Sequence, residues 1–161
     1  VDQKNPKPIL HSILKRYNIK KKDILETQAG LIPRFQPWLK TSYQNKIFLS
    51  GDSASFIKAT TGGGIVQSMI ASKALAESID ENRNYDMLWR RKLFAQLYAH
   101  LKARDIMDKL KEDDWNSLIK DSDDQNILDK LSTISRDNFL KLSFQLFIKK
   151  PSLITYIRHL F

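Results

Sequence analysis

The chain has 161 residues, 42% of them hydrophobic, so it is long enough for about one domain with a packed core. It contains no cysteine, which excludes disulfides, thiolate metal sites, iron–sulfur clusters and a cysteine nucleophile. Its 27 Lys and Arg against 18 Asp and Glu could serve an anionic ligand, acidic lipid headgroups, nucleic acid or solubility. We rank nucleic acid last, because the sequence has no recognisable reading module and no interleaved basic and aromatic face.

The N-terminal part predicts one helix, one strand and one loop. Pro6 and Pro8 precede a periodic apolar stretch, which predicts a short helix that ends at the basic run of residues 20–22. Residues 23–33 are rich in aliphatic side chains and bounded by glycine and proline, which predicts a strand. Residues 34–45 follow as a loop anchored by aromatic side chains.

Residues 46–79, KIFLSGDSASFIKATTGGGIVQSMIASKALAESI, hold four of the five glycines. The apolar run at residues 46–50 ends in Gly51 and Asp52, which is typical of a buried parallel strand that delivers a ligand-binding loop. The stretch after the glycines predicts a helix lying on a sheet, because small and apolar side chains form two rows: Val66, Ile70, Ala74 and Ser78, and Ala71, Leu75 and Ile79.

The three consecutive glycines would place helix-start N–H groups in a cleft with little side-chain bulk, which suits a planar or anionic ligand. The loop has neither the Gly-Lys-Ser/Thr ending of a nucleoside-triphosphate loop nor the dinucleotide pattern G-x-G-x-x-G. Asp52 adds a carboxylate that repels phosphate but accepts hydrogen bonds from sugar hydroxyls. Reduced flavin, with its ribityl chain, is one ligand that combines a polyol with a delocalised anion.

From Asn84 onward the pattern is entirely helical. A stripe of Leu93, Leu97 and Leu101 predicts an amphipathic helix, and three short helices follow it. Their candidate N-caps are Asp113 or Asp114, Ser122 and Ser135. Residues 138–161 could form a basic amphipathic element, but Lys149, Lys150 and Pro151 break its apolar run well short of the roughly 20 residues that span a membrane. It either lies in a membrane interface or packs on the core, and we favour the core.

Residues 51–65 resemble the second flavin-binding motif of the geranylgeranyl reductase family, a branch of the para-hydroxybenzoate hydroxylase-like flavoproteins. In that family Gly-Asp-Ala-Ala-Gly is followed by Lys-Pro-Thr-Thr-Gly-Gly-Gly-Ile. Here Ser53 replaces the first alanine of that motif, Ser55 replaces its last glycine, and Ala59 replaces the proline. A Gly-Leu-Ile-Pro segment before the motif and a basic aromatic helix after it are also similar, the latter through Tyr85, Trp89, Arg90, Arg91 and Lys92. The resemblance covers roughly residues 24–105.

The resemblance implies an α/β FAD-binding fold, Rossmann-like and of the glutathione-reductase type, with a helical C-terminal region; this chain itself would be mostly α with a few strands. It implies that residues 1–45 end the substrate-binding domain, residues 46–80 are the C-terminal part of the FAD-binding domain, and residues 81–161 are the helical region. The chain would then be the C-terminal portion of a larger enzyme. Its partner would be an N-terminal FAD-binding portion, on the same or a separate chain.

The resemblance also implies which residues bind FAD. Asp52 matches the aspartate that hydrogen-bonds the ribityl chain, and Gly51 lets the backbone turn beside the cofactor. The loop and helix start that face the isoalloxazine ring are Thr61, Gly62, Gly63, Gly64 and Ile65. The role of Lys58 stays open, and no catalytic residue or metal site is predicted.

The implied activity is FAD-dependent reduction of carbon–carbon double bonds in geranylgeranyl or other polyprenyl lipids. We expect a cytoplasmic protein in peripheral contact with the membrane surface, because the sequence shows no signal peptide and its expected substrate is an isoprenoid lipid. Two alternatives stay open. One is a non-catalytic lipid-binding or assembly module that keeps the shape of the motif without flavin, and the other is a related flavin-dependent hydroxylase.

Overall fold

The computed structural model describes residues 5–122, 141 and 148. Most of the described chain is helical, with five α-helices: α1 Lys7–Arg16, α2 Ile65–Asp80, α3 Tyr85–Trp89, α4 Ala95–Met107 and α5 Glu112–Ser122. Three tighter or wider turns accompany them: 3₁₀ turns at Lys21–Asp23 and Gly51–Ala54, and a π-helical turn at Arg90–Phe94. Two short strands complete the described elements: β1 Ser42–Tyr43 and β2 Ile47–Phe48.

The chain divides into two compact units, residues 1–31 and residues 32–161. In the first unit, α1 begins at a proline-rich turn, as predicted, but it ends at Arg16 and not at the predicted basic run of residues 20–22. The predicted basic run forms the 3₁₀ turn, where the Lys20 N–H donates to the Asp23 carboxylate at 3.0 Å. The predicted functional boundaries at residues 45 and 80 stay predictions.

The strand predicted over residues 23–33 is wrong. These residues begin at the end of the 3₁₀ turn and continue as irregular chain, and no strand of the described residues pairs with them. Aliphatic content alone therefore misled the prediction, because a strand needs a partner edge to satisfy its backbone groups.

The buried parallel strand predicted at residues 46–50 is also wrong. Strand β2 pairs antiparallel with β1 in a hairpin, with Ser42 opposite Phe48, and Ile47 is 61% exposed. The two turn residues, Gln44 and Asn45, both have left-handed φ angles, of 51° and 52°, as a tight hairpin turn requires. The mostly helical character is confirmed, whereas the Rossmann-like fold stays a prediction, because the described residues contain only this hairpin.

The core of the second unit lies between α2, α3, the π-helical turn and α4. The Trp89 ring occupies its centre, 4.7 Å from the Phe56 ring centroid and edge-on to Phe35. The predicted leucine stripe is confirmed, because Leu93 and Leu97 are buried and Leu101 packs against the same cluster.

Helix α2 packs against α3 and the π-helical turn rather than against a sheet, so the predicted helix is confirmed and its predicted support is wrong. Of the two predicted rows, Ala71, Ala74 and Ser78 are buried. Ile79, which was predicted to lie in one of these rows, is 63% exposed, whereas Gln67, which was in neither row, is buried. Small side chains allow the close approach of a second helix as well as of a sheet, so the pattern could not choose between them.

Hydrogen bonds from Tyr85 of α3 and from Arg90 of the π-helical turn hold residues 37–49 against the helices. Arg90 donates to the carbonyls of Pro37 and Leu39, at 2.6 and 3.1 Å, and its guanidinium lies 4.5 Å from the Trp89 ring centroid. The Tyr85 hydroxyl donates to the Leu49 carbonyl at 3.0 Å. Of the loop's own predicted aromatic anchors, Phe35 is buried in the core, whereas Trp38 and Tyr43 are 86% and 41% exposed.

The predicted N-caps Asp113 and Asp114 are wrong, because α5 already begins at Glu112 and both residues lie in its first turn. The Lys111 N–H donates to the Asp114 carboxylate at 3.1 Å, so Asp114 stabilises the helix start from inside the first turn. Ser122, predicted as the cap of the next helix, is the last residue of α5. The predicted cap Ser135 and the amphipathic element at residues 138–161 lie outside the described residues, apart from residues 141 and 148. None of the helices in the described chain is long and apolar enough to cross a bilayer.

Candidate functional site

The predicted aspartate and the predicted glycine loop meet in one open cleft of about 750 Å³. Five of the predicted site residues line it, namely Asp52, Gly62, Gly63, Gly64 and Ile65. The other two flank it in the chain, since Gly51 precedes Asp52 and Thr61 precedes Gly62. The cleft also has three lining residues that the sequence reasoning missed: Ser68, Met69 and Ser72.

The 3₁₀ turn Gly51–Ala54 presents the Asp52 side chain at the surface. Its start requires glycine, because Gly51 has a φ of +62° and an added Cβ would lie 3.3 Å from the Ser68 hydroxyl. The turn closes through the Phe56 N–H, which donates to the Gly51 carbonyl at 3.0 Å. The position of the carboxylate is therefore set by backbone geometry.

The glycine loop folds around the backbone of Lys58. The Lys58 carbonyl accepts from the N–H groups of Thr61 and Gly62, at 3.1 and 2.8 Å, and the Lys58 N–H donates to the Gly63 carbonyl at 2.9 Å. Three hydrogen bonds thus converge on one residue and close the loop without a regular element.

The three glycines meet three different demands. Gly62 has a φ of +71°, which side-chain-bearing residues rarely adopt. Gly64 leaves no room for a side chain, because an added Cβ would lie 2.9 Å from the Phe56 carbonyl oxygen. At Gly63 an added Cβ would meet two side chains and no backbone: the flexible Lys58, whose Cε would be 3.3 Å away, and Thr61, whose Oγ1 would be 3.6 Å away. Gly62 and Gly64 are therefore needed for the conformation of the loop, whereas Gly63 mainly leaves space in the cleft, because it has no side chain.

Helix α2 starts directly at the cleft. Gly64 is its N-cap, and the Gly64 carbonyl accepts from both the N–H and the hydroxyl of Ser68, at 2.8 and 2.7 Å. The first-turn N–H groups of an α-helix have no intrahelical acceptors, and a glycine cap supplies no side chain to satisfy them. The helix start therefore offers hydrogen-bond donors and a partial positive charge to a ligand in the cleft.

Curated proteins of one kind match this chain. It is 30% identical over 147 residues to the digeranylgeranylglycerophospholipid reductase of Methanocaldococcus jannaschii, covering 84% of this chain and 35% of that protein. It is 27% identical to digeranylgeranylglycerophospholipid reductase 2 of Methanopyrus kandleri, covering 84% and 36%, respectively. It is 29% identical to the enzyme of the same name from Methanothermobacter thermautotrophicus, covering 73% and 32%.

The resemblance to the geranylgeranyl reductase family is confirmed. The chain spans about a third of the length of the curated reductases that it matches. No protein-family model and no solved structure matches it.

One departure from the geranylgeranyl reductase motif has a clear structural consequence. The family motif has glycine where this chain has Ser55, and Ser55 adopts a left-handed φ of +57° at the end of the 3₁₀ turn. The backbone thus follows the shape that glycine favours, and it pays a conformational cost for the serine. The Ser55 side chain is buried, and its hydroxyl accepts from the Gln36 N–H at 2.9 Å. That hydrogen bond offsets part of the cost.

The residues missed by the motif comparison lie on one side of α2. Ile65, Ser68, Met69 and Ser72 are spaced i, i+3, i+4 and i+7, which places them along one helix face. Ile65 and Met69 are 80% and 68% exposed. Helical spacing from Ile65 would have found them, because the cleft extends along the first two turns of α2.

His100 is a further residue that the sequence reasoning missed, and it contacts the loop at Thr60. The Thr60 hydroxyl lies 2.7 Å from Nδ1 of His100, a residue of α4 that is 1% exposed. The pair is 40 residues apart in the chain, so no local sequence signal could have joined the two.

Asp86 stabilises the scaffold beside the cleft by joining α3 to β1. Its carboxylate accepts from the N–H and hydroxyl of Thr41, at 3.1 and 2.7 Å, and from the Ser42 hydroxyl. Thr41 in turn accepts from the Trp89 indole at 2.7 Å. Partial burial raises the pKa of Asp86, but the hydrogen bonds from Ser42 and Thr41 outweigh it, so the net pKa lies below the ordinary value of 3.8.

The donors and acceptors of the cleft fit a flavin with its ribityl chain. Asp52 offers acceptors for hydroxyl groups, the start of α2 offers N–H donors, and the glycine surface leaves space for a planar ring. Among the described residues, no group of three His, Asp or Glu side chains is arranged to hold a metal ion. Asp52 and the start of α2 thus provide the two kinds of polar group that a flavin would need, acceptors for hydroxyl groups and N–H donors.

Proposed function

We propose that this chain forms one wall of the FAD site in a reductase that saturates the geranylgeranyl chains of a glycerophospholipid. The observation that carries the proposal is that Asp52 and the loop of residues 62–64 line the same cleft at the start of α2. The named relatives act on digeranylgeranylglycerophospholipids, which supports the lipid class. We assign the rest of the flavin site to an N-terminal FAD-binding portion on the same or a separate chain.

In this proposal each part of the cleft has one task. Asp52 accepts hydrogen bonds from the ribityl hydroxyls and so orients the cofactor. Gly62 and Gly63 allow the ring to approach the backbone, and the N–H groups at the start of α2 stabilise negative charge on the ring. When bound in its reduced form, FAD would supply a hydride to one carbon of the double bond and end oxidised, while a proton is added to the other carbon.

The proposed substrate also bears on where the enzyme acts. An isoprenoid phospholipid resides in a bilayer, so the proposed reductase would meet its substrate at the membrane surface. We therefore propose a cytoplasmic protein in peripheral contact with the membrane.

Flavin retention tests the proposal. The complete protein, including its N-terminal FAD-binding portion, is mixed with FAD and freed of excess, and the visible absorbance of bound flavin is measured. We expect Asp52→Asn to raise the Kd for FAD about tenfold, the size of one lost hydrogen bond to a charged group. Asp80→Asn, at the far end of α2, is the matched control and should leave the Kd within about twofold.

Two results would contradict the proposal. A wild-type protein that retains no flavin would favour the non-catalytic lipid-binding or assembly module. Equal retention by wild type and Asp52→Asn would reject the role of Asp52. The substrate class is tested by adding a geranylgeranyl phospholipid to dithionite-reduced protein without oxygen and measuring saturation by mass spectrometry. Product that forms only with oxygen would favour the hydroxylase.

A further inference from the structure

The glycine loop is tied to the helical region by a buried side-chain contact. The Thr60 hydroxyl and Nδ1 of His100 are 2.7 Å apart, a hydrogen bond in which the tautomer of the imidazole decides which group donates. His100 is 1% exposed and lies on α4, one turn after the buried Leu97. The contact therefore joins a surface loop to a residue fixed in the core.

We propose that His100 is a positioning residue that, through Thr60, holds the glycine loop in the conformation that receives the flavin ring. This inference rests on the proposed function, because it assigns a purpose to the loop of the FAD site. It extends that function by placing control of the flavin wall in α4, outside the motif.

The backbone hydrogen bonds to Lys58 close the loop at Thr61, Gly62 and Gly63, and the contact with His100 adds a restraint at Thr60. Three consecutive glycines populate many backbone conformations, and Gly62 must be held at a φ of +71°. At its C-terminal end the loop is fixed by Gly64, which packs against the Phe56 carbonyl and starts α2. At its N-terminal end the contact with His100 fixes Thr60, two residues before Gly62.

The departure at Ala59 gives the contact additional weight. The family motif has proline at this position, and proline would restrict the backbone immediately before Thr60. Alanine leaves the φ of this residue free. The hydrogen bond to His100 provides from the core a restraint that proline would provide from within the loop.

Two variants of Thr60 test the proposal in the complete protein. Thr60→Val removes the hydroxyl and keeps the shape of the side chain, whereas Thr60→Ser keeps the hydroxyl. The first measurement is amide hydrogen exchange of residues 60–65 without FAD, and the second is the Kd for FAD. We expect Thr60→Val to raise both the exchange rate and the Kd about tenfold, the effect of one lost hydrogen bond, and Thr60→Ser to stay within about twofold of wild type.

Ser78→Ala is the matched control, because it also removes a buried hydroxyl of the same unit. The Ser78 hydroxyl donates to the Leu75 carbonyl at 2.7 Å, near the end of α2 remote in sequence from the glycine loop. We expect this variant to lower the Tm by an amount similar to Thr60→Val while leaving loop exchange and the Kd within about twofold of wild type. Equal changes in loop exchange or Kd for both variants would reduce the contact to general stability and overturn the proposal.

The two measurements separate this inference from the proposed function. If wild type binds no FAD, the proposed function fails, and the positioning role toward flavin fails with it, even if loop exchange responds to Thr60→Val. If wild type binds FAD but Thr60→Val changes neither exchange nor Kd, only the positioning role is overturned.

Discussion

The two parts of this chain that resemble geranylgeranyl reductases are built on different physical grounds. The loop of residues 51–65 is shaped by backbone: glycines, left-handed φ angles and converging carbonyl contacts leave Asp52 and Ile65 exposed. Helix α3 is held in place by its side chains, because Tyr85 and Trp89 are buried. Arg90, directly after α3, donates hydrogen bonds to the carbonyls of Pro37 and Leu39. The exposed loop presents a ligand surface, and the buried helix keeps that surface in place.

The comparison teaches how to interpret a motif in this molecule. Residues with exposed polar groups and little bulk point to binding, whereas the buried aromatic pattern points to support. The predictions below test two points about stability. One is whether the space around the glycine backbone determines the stability of the loop, and the other is whether side-chain hydrogen bonds determine the stability of the scaffold around α3.

The largest effect is expected at Gly64. Gly64→Ala would force a Cβ to within 2.9 Å of the Phe56 carbonyl oxygen, and backbone can move only at a cost. We expect it to lower the free energy of unfolding by about 2–3 kcal/mol, as overpacking does. Urea unfolding measures this effect.

Gly63→Ala is the matched control in the same loop. Its Cβ would meet side chains and no backbone, with the flexible Lys58 nearest at 3.3 Å, so we expect a loss below about 1 kcal/mol. Equal losses for the two variants would show that glycine content, and not the contact with Phe56, decides the stability of the loop.

The next effect concerns the scaffold, through Asp86. Because hydrogen bonds hold its pKa below 3.8 in the folded protein, its contribution to stability is present above that pH and is lost as the pH falls through the folded pKa. We expect Asp86→Asn to lower the free energy of unfolding by about 1–2 kcal/mol at pH 7. The difference from wild type should shrink between pH 4 and about pH 2, as measured by urea unfolding at several pH values.

A difference that stays constant over this pH range would contradict the role of the Asp86 charge. Asp80→Asn, on the exposed end of α2, serves as the control for a general effect of removing one carboxylate.

The smallest effect is the expected difference between two variants of Ser55, where backbone and side chain oppose each other. Ser55→Ala loses the hydrogen bond from Gln36 and keeps the left-handed φ, so we expect a loss of about 1–2 kcal/mol. Ser55→Gly loses the same bond but removes the conformational cost, which should leave it about 1 kcal/mol more stable than Ser55→Ala. Thermal or urea unfolding of both variants gives the order, and the reverse order would show that backbone strain at residue 55 is negligible.

The elements that sequence could predict are those whose signal is local. The proline-led helix α1, helix α2 and the leucine stripe of Leu93 and Leu97 each repeat a pattern within a few turns. The failures are strands: residues 23–33 pair with no described strand, and residues 46–50 join a hairpin. Strand pairing depends on which edge is near, and an apolar run carries no information about that edge.

The candidate site divides in the same way. Asp52 and the glycines were predictable because they lie within one contiguous motif, and Ser68 and Met69 follow from helical spacing. His100 was not predictable, because its contact with Thr60 joins positions 40 residues apart.

By itself, the sequence determined the resemblance to geranylgeranyl reductases, the helical character of the chain and the residue types of the cleft. These follow from local spacing and from the conformations that glycine alone adopts freely. Only the tertiary structure decided that α2 rests on helices, that Gly64 is fixed by the Phe56 carbonyl, and that His100 reaches the loop. Each of these depends on distances between segments that meet only after packing, which no local pattern contains.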